Sequence, residues 1–192
     1  VKRLVLATHN AGKAAEFGAL LAPAGWEVVG AGALGLAEPE ETAADFVGNA
    51  RLKAVAAAKA SGMRALADDS GLCVAALDGG PGVYSARYAA GDYAAAFERI
   101  IAAARARDEW RAWFMCVLCL AAPDGSTACY GGRAGGVIAP APRGVGGFGY
   151  DPIFIPDGYE QSYAELGAEV KGRISHRGRA VAQILAVLRA EG

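Results

Sequence analysis

Apolar and polar positions along the chain form blocks that alternate between strand and helix periodicity. Lys2 to Thr8 is a β-rich run with an apolar centre, and it predicts a buried strand. Asn10 offers a cap for a helix from Ala11 to about Leu21, stopped by Pro23 and Gly25. Trp26 to Val29 predicts a second strand, and the Gly-rich loop after it turns acidic at Glu38, Glu40 and Glu41. Thr42 and Asp45 have the T-x-x-D spacing of a variant capping box, which predicts a helix over Ala43 to Ser61 that ends at Gly62. Arg64 to Ala67 and Leu72 to Leu77 read as strands on either side of ADDSG, with a loop from Asp78 to Tyr88. Asp92 opens a helix through roughly Arg105. Trp110 to Ala122 and Thr127 to Ile138 read as two long strands joined by a PDGS turn. Pro140 to Tyr150 is a glycine-rich loop, Ile153 to Ile155 a short strand, and Ser162 to Leu166 one helical turn. Val181, Ile184, Leu185 and Leu188 give Ala180 to Arg189 the apolar stripe of an amphipathic helix. Early alternation followed by a long hairpin implies an α/β fold with a mixed central sheet. No internal repeat or linker divides the 192 residues, a length that suits one domain or two lobes on a shared sheet.

Composition narrows the function classes. The chain is 54% apolar and 20% charged, which gives ample core for a globular protein. A net charge of −1 provides no general basic field for duplex nucleic acid or an anionic membrane. Phosphate binding must then come from a few placed cations. The longest apolar stretch, Trp113 to Ala122, is far short of the roughly 20 residues a membrane span needs. Lys2 and Arg3 precede only a short apolar run, which is no signal peptide, so a cytoplasmic location is expected. Cys116 and Cys119 form a C-x-x-C, but inside WFMCVLCLA, where a spacing of three on a strand sends the side chains to opposite faces. Free buried thiols are therefore expected there, not a zinc or redox site.

Four segments carry candidate chemistry. THNAGK, residues 8 to 13, sits where a strand meets a helix, so backbone N–H groups and the helix dipole favour an anion, and Lys13 adds a point charge. Taken alone, it equally suits an Asn cap and a solvated lysine. ADDSG places Asp68 and Asp69 together before a Ser-Gly turn. Strand alternation aims only one of them into a given site. Such carboxylates suit Mg²⁺ or a general base, or merely a hydrogen-bonded Asp-Ser turn. Glu40 and Glu41 are either helix-dipole partners or further metal ligands. In GGFGYDPIF, Phe148 and Tyr150 lie in a glycine-rich loop with no obvious core to fill, which suits stacking on a nucleobase, and Asp151 can accept from base or sugar. KGRISHR gathers Lys171, Arg173, His176 and Arg177 before the last helix, the wrong end of a dipole for cations, which favours a bound anion. With fourteen arginines against five lysines, the placement of Lys13, Lys53 and Lys171 in or near these segments supports phosphate contact.

Together LVLATHNAGKAAEF, ADDSGLCVAALDGGPGVYSARYA, GGFGYDPIF and ISHRGRA resemble, in order and over essentially the whole chain, the inosine triphosphatase (dITP/XTP pyrophosphatase, Ham1-like) family. The resemblance implies a single domain over residues 1–192 made of two lobes, with a long mixed sheet, flanking helices and a substrate cleft between the lobes. It implies a homodimer. It implies Mg²⁺-dependent hydrolysis of ITP, dITP and XTP to the monophosphate and pyrophosphate, which keeps deaminated bases out of nucleic acid. On that resemblance Thr8, His9, Asn10, Ala11, Gly12 and Lys13 match the triphosphate loop, and Lys53 a further phosphate contact. Asp69 matches the general base and metal carboxylate, Ser70 a substrate contact, and Glu40 with Glu41 the acidic metal site. Phe148, Gly149, Tyr150 and Asp151 match the base loop, and Lys171, His176 and Arg177 the contacts that close the site. The rival readings are a pyrophosphatase for other modified nucleotides, a non-catalytic nucleotide sensor, and a nucleic-acid-binding module. The net charge disfavours the last.

Overall fold

The computed structural model describes residues 2–190. Six strands form one mixed sheet in the order β2-β1-β3-β4-β5-β6: β1 Lys2–Leu6, β2 Trp26–Gly30, β3 Ala65–Val74, β4 Arg111–Ala121, β5 Thr127–Ile138 and β6 Phe154–Pro156. β1 pairs parallel with β2 and β3, whereas β5 and β6 pair antiparallel. The helices are α1 Ala11–Leu21, α2 Phe46–Ser61, α3 Ser85–Ala89, α4 Tyr93–Arg107, α5 Tyr163–Ile174 and α6 His176–Ala190.

The chain divides into two compact units. The first comprises Val1–Asp69, Cys116–Gly132 and Arg177–Gly192. Its strands bury both faces by simple alternation. Leu4, Leu6, Leu66, Leu118 and Leu120 pack with Phe17 and Leu21 of α1 and with Val181, Ile184 and Leu188 of α6. The alternate positions Val5, Ala65, Ala67, Val117 and Cys119 pack with Ala50, Ala54, Ala57 and Ala58 of α2. Small side chains on both partners let this helix lie close to its strands. Cys116 and Cys119 fall in the two different clusters, as their spacing requires.

The second unit comprises Ser70–Met115 and Arg133–His176. Its core is aromatic. The Phe114 ring lies 4.8 Å from Phe154 and 5.8 Å from Tyr163, with Leu72, Val74, Ile100 and Ile138 around them.

Three local expectations give way. ADDSG is no turn: β3 runs unbroken through it. Gly71 is glycine because a Cβ there would lie 2.1 Å from the Gly82 carbonyl oxygen, so it serves a close approach. α2 begins at Phe46, and Asp45 is itself the cap, accepting from Gly48 N at 2.7 Å. The loop from Asp78 to Tyr88 contains a 3-10 turn at Gly82–Tyr84 and the start of α3.

Candidate active site

The first unit builds one polar cluster around the adjacent aspartates of β3. The pleat sends them to opposite faces. Asp68 follows Leu66 onto the face shared with α1 and α6. There it meets Lys13 Nζ at 2.9 Å and Arg177 at 3.9 Å. Lys13 arrives because Asn10 caps α1 as expected: its side chain accepts from Lys13 N at 3.0 Å, and Asn10 N donates to Thr8 Oγ1 at 3.2 Å. Arg177, in the first turn of α6, also donates to Glu16 one helical turn beyond Lys13. Of the other loop residues, Thr8 and Gly12 are half-buried, and His9, Asn10 and Ala11 are exposed.

Asp69 follows Ala67 onto the α2 face. It accepts from Asn49 Nδ2 at 3.2 Å and lies 3.7 Å from Lys53 Nζ. Asn49 and Lys53 are four residues apart on α2 and so share one side of the helix. Asn49 also accepts from Ala43 N through Oδ1 at 2.9 Å, which ties the preceding loop to the helix. Gly48 permits this fold-back, because a Cβ there would sit 2.5 Å from that of Ala43. The loop thereby delivers Glu41, whose Oε1 reaches Lys53 Nζ at 2.5 Å. Glu40 points to an exposed position, and among the described residues no three His, Cys, Asp or Glu side chains converge as a metal group. Of the expected Glu40, Glu41 and Asp69, the last two lie against Lys53.

The two aspartates titrate apart. Burial opposes ionisation of Asp68, but the charges of Lys13, Arg177 and Lys53 and the Lys13 hydrogen bond outweigh it. Its carboxyl is held well below the usual range. Burial of Asp69 dominates, and Glu41 adds to it. Lys53 and the Asn49 hydrogen bond offset only part, so its pKa is raised to about 6. Lys53 is itself buried, yet Asp68, Asp69 and Glu41 hold it charged. One aspartate is thus a fixed anion. The other is poised near neutrality, the separation expected when neighbouring carboxylates do different work.

The second unit builds another cluster. Asp151, 2% exposed, accepts from Lys171 Nζ at 2.6 Å and from Phe148 N at 3.0 Å. Gly147 has a positive φ of 69°, and a Cβ there would meet Asp151 Oδ2 at 2.1 Å, so only glycine fits beside that carboxylate. Lys171 lies 4.5 Å over the half-buried Phe148 ring. His176 stacks on Phe114 at 4.6 Å, with the ring planes nearly parallel. Gly149 packs near Tyr93, and Ser70 is half-buried on β3.

The stacking role expected of Tyr150 does not match its ring. Tyr150 is buried against Tyr93 at 5.2 Å and Phe97 at 6.2 Å, and its hydroxyl donates to Ser85 O at 2.6 Å. Its loop position concealed a core that α4 supplies. The dipole argument for KGRISHR holds for Arg177, in the first turn of α6, but not for Lys171 and Arg173. Those two lie in the last turn of α5, the favourable end for cations. Sequence reasoning left Asn49 and Glu16 unassigned. Their helical spacing from Lys53 and Lys13 was the available signal.

Residues 4–187 match the sequence model of the Ham1 family. The chain belongs to the Ham1 family. It is 54% identical over 188 residues to the dITP/XTP pyrophosphatase of Rhodospirillum centenum, covering 95% of this chain and 93% of that one. It is 50% identical over 185 residues to the enzyme of the same name from Gluconobacter oxydans, covering 95% and 89%. The structure of a HAM1 protein from Coxiella burnetii is similar over the full length of both chains, with a TM-score of 0.89 at 39% identity. These Ham1 relatives share the mixed α/β architecture, so the fold class expected from the sequence holds.

Proposed function

We propose that this Ham1-family chain hydrolyses purine nucleoside triphosphates carrying hypoxanthine or xanthine (ITP, dITP and XTP) to the monophosphate and pyrophosphate. The observation that carries the reading is the placement of the two aspartates on opposite faces of β3, Asp68 against Lys13 and Arg177 and Asp69 against Lys53 and Asn49. The names of the curated relatives support the substrate class.

Asp69 is the group for the water. Near neutral pH it takes a proton from a water aimed at the α-phosphorus, and its hold on Asn49 keeps it oriented. The new P–O bond forms as the bond to the bridging oxygen breaks, and pyrophosphate leaves. Lys13, Lys53 and Arg177 spread positive charge for the leaving group, and ionised Asp68 keeps Lys13 and Arg177 in place. Thr8 to Lys13 offers the positive end of α1 to the phosphates.

The donor set fits a divalent cation. Glu16, Glu41, Asp68 and Asp69 lie against Lys13, Lys53 and Arg177, and Glu41 with Asp69 offers the hard oxygens Mg²⁺ takes. Mg²⁺ held there would offset charge on the triphosphate and the leaving group. The base belongs to the second unit: Phe148 stacks, and Lys171, Asp151 and His176 set the polar environment that accepts a 6-oxo group. A 6-amino group would leave a buried donor unpaired, at a cost of about 1–3 kcal/mol. A homodimer in the cytoplasm completes the reading, and among the described residues no helix is long and apolar enough to cross a membrane.

The test is product identification with Mg²⁺ and dITP, XTP, dATP or dGTP in turn. Pyrophosphate from dITP and XTP, with little from the other two, is the expected result. Orthophosphate as first product overturns the α–β cleavage. Binding without turnover moves the weight to a nucleotide sensor.

A further inference from the structure

The first unit holds three thiols that the activity does not use, Cys116, Cys119 and Cys129, and the C-x-x-C is not the pair that meets. Ala122 N donates to Ser126 O at 3.0 Å across the turn that joins β4 to β5. Stepping three residues back along β4 and three forward along β5 from that hydrogen-bonded pair brings Cys119 opposite Cys129. An odd step from a hydrogen-bonded pair is a non-hydrogen-bonded pair, where facing Cα atoms are about 4.5 Å apart and side chains lean together. That separation is inside the disulfide range of about 4.4–6.8 Å. The two thiols are in hydrogen-bond contact, and both are reduced. Cys116 is on the other face and buried among Leu118, Phe17 and Val181, out of reach of both.

We propose that Cys119 and Cys129 are a thiol–disulfide modification site, closing to a reversible cross-strand disulfide when a small-molecule disulfide is available. Cys129 is half-buried and Cys119 fully buried, which sets the order of events. The Cys129 thiolate attacks the small disulfide RSSR, forming a Cys129–S–S–R bond and releasing RS⁻, which takes a proton from solvent. Cys119 gives its proton to solvent, and its sulfur attacks Cys129 Sγ. The Sγ–Sγ bond forms and the second RS⁻ leaves. Two protein thiols are oxidised and RSSR is reduced to two thiols.

The second step is the slow one. Burial raises the Cys119 thiol above its ordinary value, and Arg51 of α2 with the Thr127 hydroxyl of β5 offsets part of this. Closure therefore accelerates with pH. The crosslink would brace the hairpin that packs under Ala54, Ala57 and Ala58 of α2.

The experiment uses the whole native protein with oxidised glutathione at pH 8.5, acid quenching, alkylation in denaturant and peptide mapping. The expected result is a Cys119–Cys129 crosslinked peptide with Cys73 and Cys116 alkylated. The melting temperature should rise by roughly 3–8 °C and return with dithiothreitol. Cys129→Ala, at a half-buried position, should fold and never crosslink. A glutathione adduct that persists on Cys129, a different cysteine pair, no oxidation, or a lower melting temperature in the crosslinked form would each overturn the proposal.

Discussion

Asp69→Asn should abolish turnover and stabilise the metal-free protein. The folded pKa of Asp69 is about 6 against an ordinary 3.8, and burial is the main cause. Below 3.8 both the folded and the unfolded chain hold the proton, and the fold carries no penalty. Between 3.8 and 6 the unfolded chain releases it while the fold retains it, so the stability tied to this proton is lost as pH rises. Above 6 the fold holds an ionised Asp69 at full cost, which for a pKa moved from 3.8 to about 6 is roughly 3 kcal/mol. The side chain is only 6% exposed, so solvent screens little of it. Asparagine resembles the protonated acid: its oxygen can still accept from Asn49, and Lys53 keeps Glu41. At pH 8 in chelator the variant should gain up to about 3 kcal/mol, seen as a rise in melting temperature of roughly 5–10 °C. The gain should fall to about half at pH 5 and vanish below pH 4. Thermal melts at pH 8 and pH 5, beside a pyrophosphate assay, decide it. A lower melting temperature at pH 8, or an equal shift at both pH values, would refute the burial argument.

Other perturbations separate the roles of neighbours. Lys171→Met leaves Asp151 buried without its ammonium and should cost about 3–5 kcal/mol in urea denaturation, and adding Asp151→Asn should recover part of it. Glu41→Gln should weaken Mg²⁺ activation by tenfold or more on the order of one lost charge-assisted contact, whereas Glu40→Gln, at an exposed position, should give a wild-type Mg²⁺ titration. Tyr150→Phe loses the bond to Ser85 O and should cost about 1–2 kcal/mol in stability, with dITP turnover nearly unchanged. Phe148→Ala should raise KM for dITP through lost stacking worth about 1–3 kcal/mol.

Local signals are legible in the sequence. A strand ending at an Asn cap is written in neighbouring residues, and α1 starts where Asn10 predicts. The PDGS turn likewise set the hairpin of β4 and β5. What was not legible depended on distant partners. Ser70-Gly71 looks like a turn because glycine often supplies a positive φ. Here glycine serves the approach of the Gly82 carbonyl, whose nearness nothing in the local sequence records. Tyr150 looked free because α4, which covers it, lies over forty residues earlier in the chain.

The adjacent aspartates carry the same lesson into function. Asp68 and Asp69 are chemically identical neighbours, and a strand separates them by the simplest rule it has. On one face Asp68 meets two cations, Lys13 from α1 and Arg177 from α6, and stays ionised. On the other Asp69 shares a single cation, Lys53, with a second carboxylate, Glu41, and is left short of positive charge. Burial raises its pKa, the shortfall leaves that rise largely unopposed, and the carboxylate oxygens suit a divalent ion. The sequence shows the pair and the pleat. It does not show how many cations wait on each face, and that count decides which aspartate holds the site together and which one handles the water.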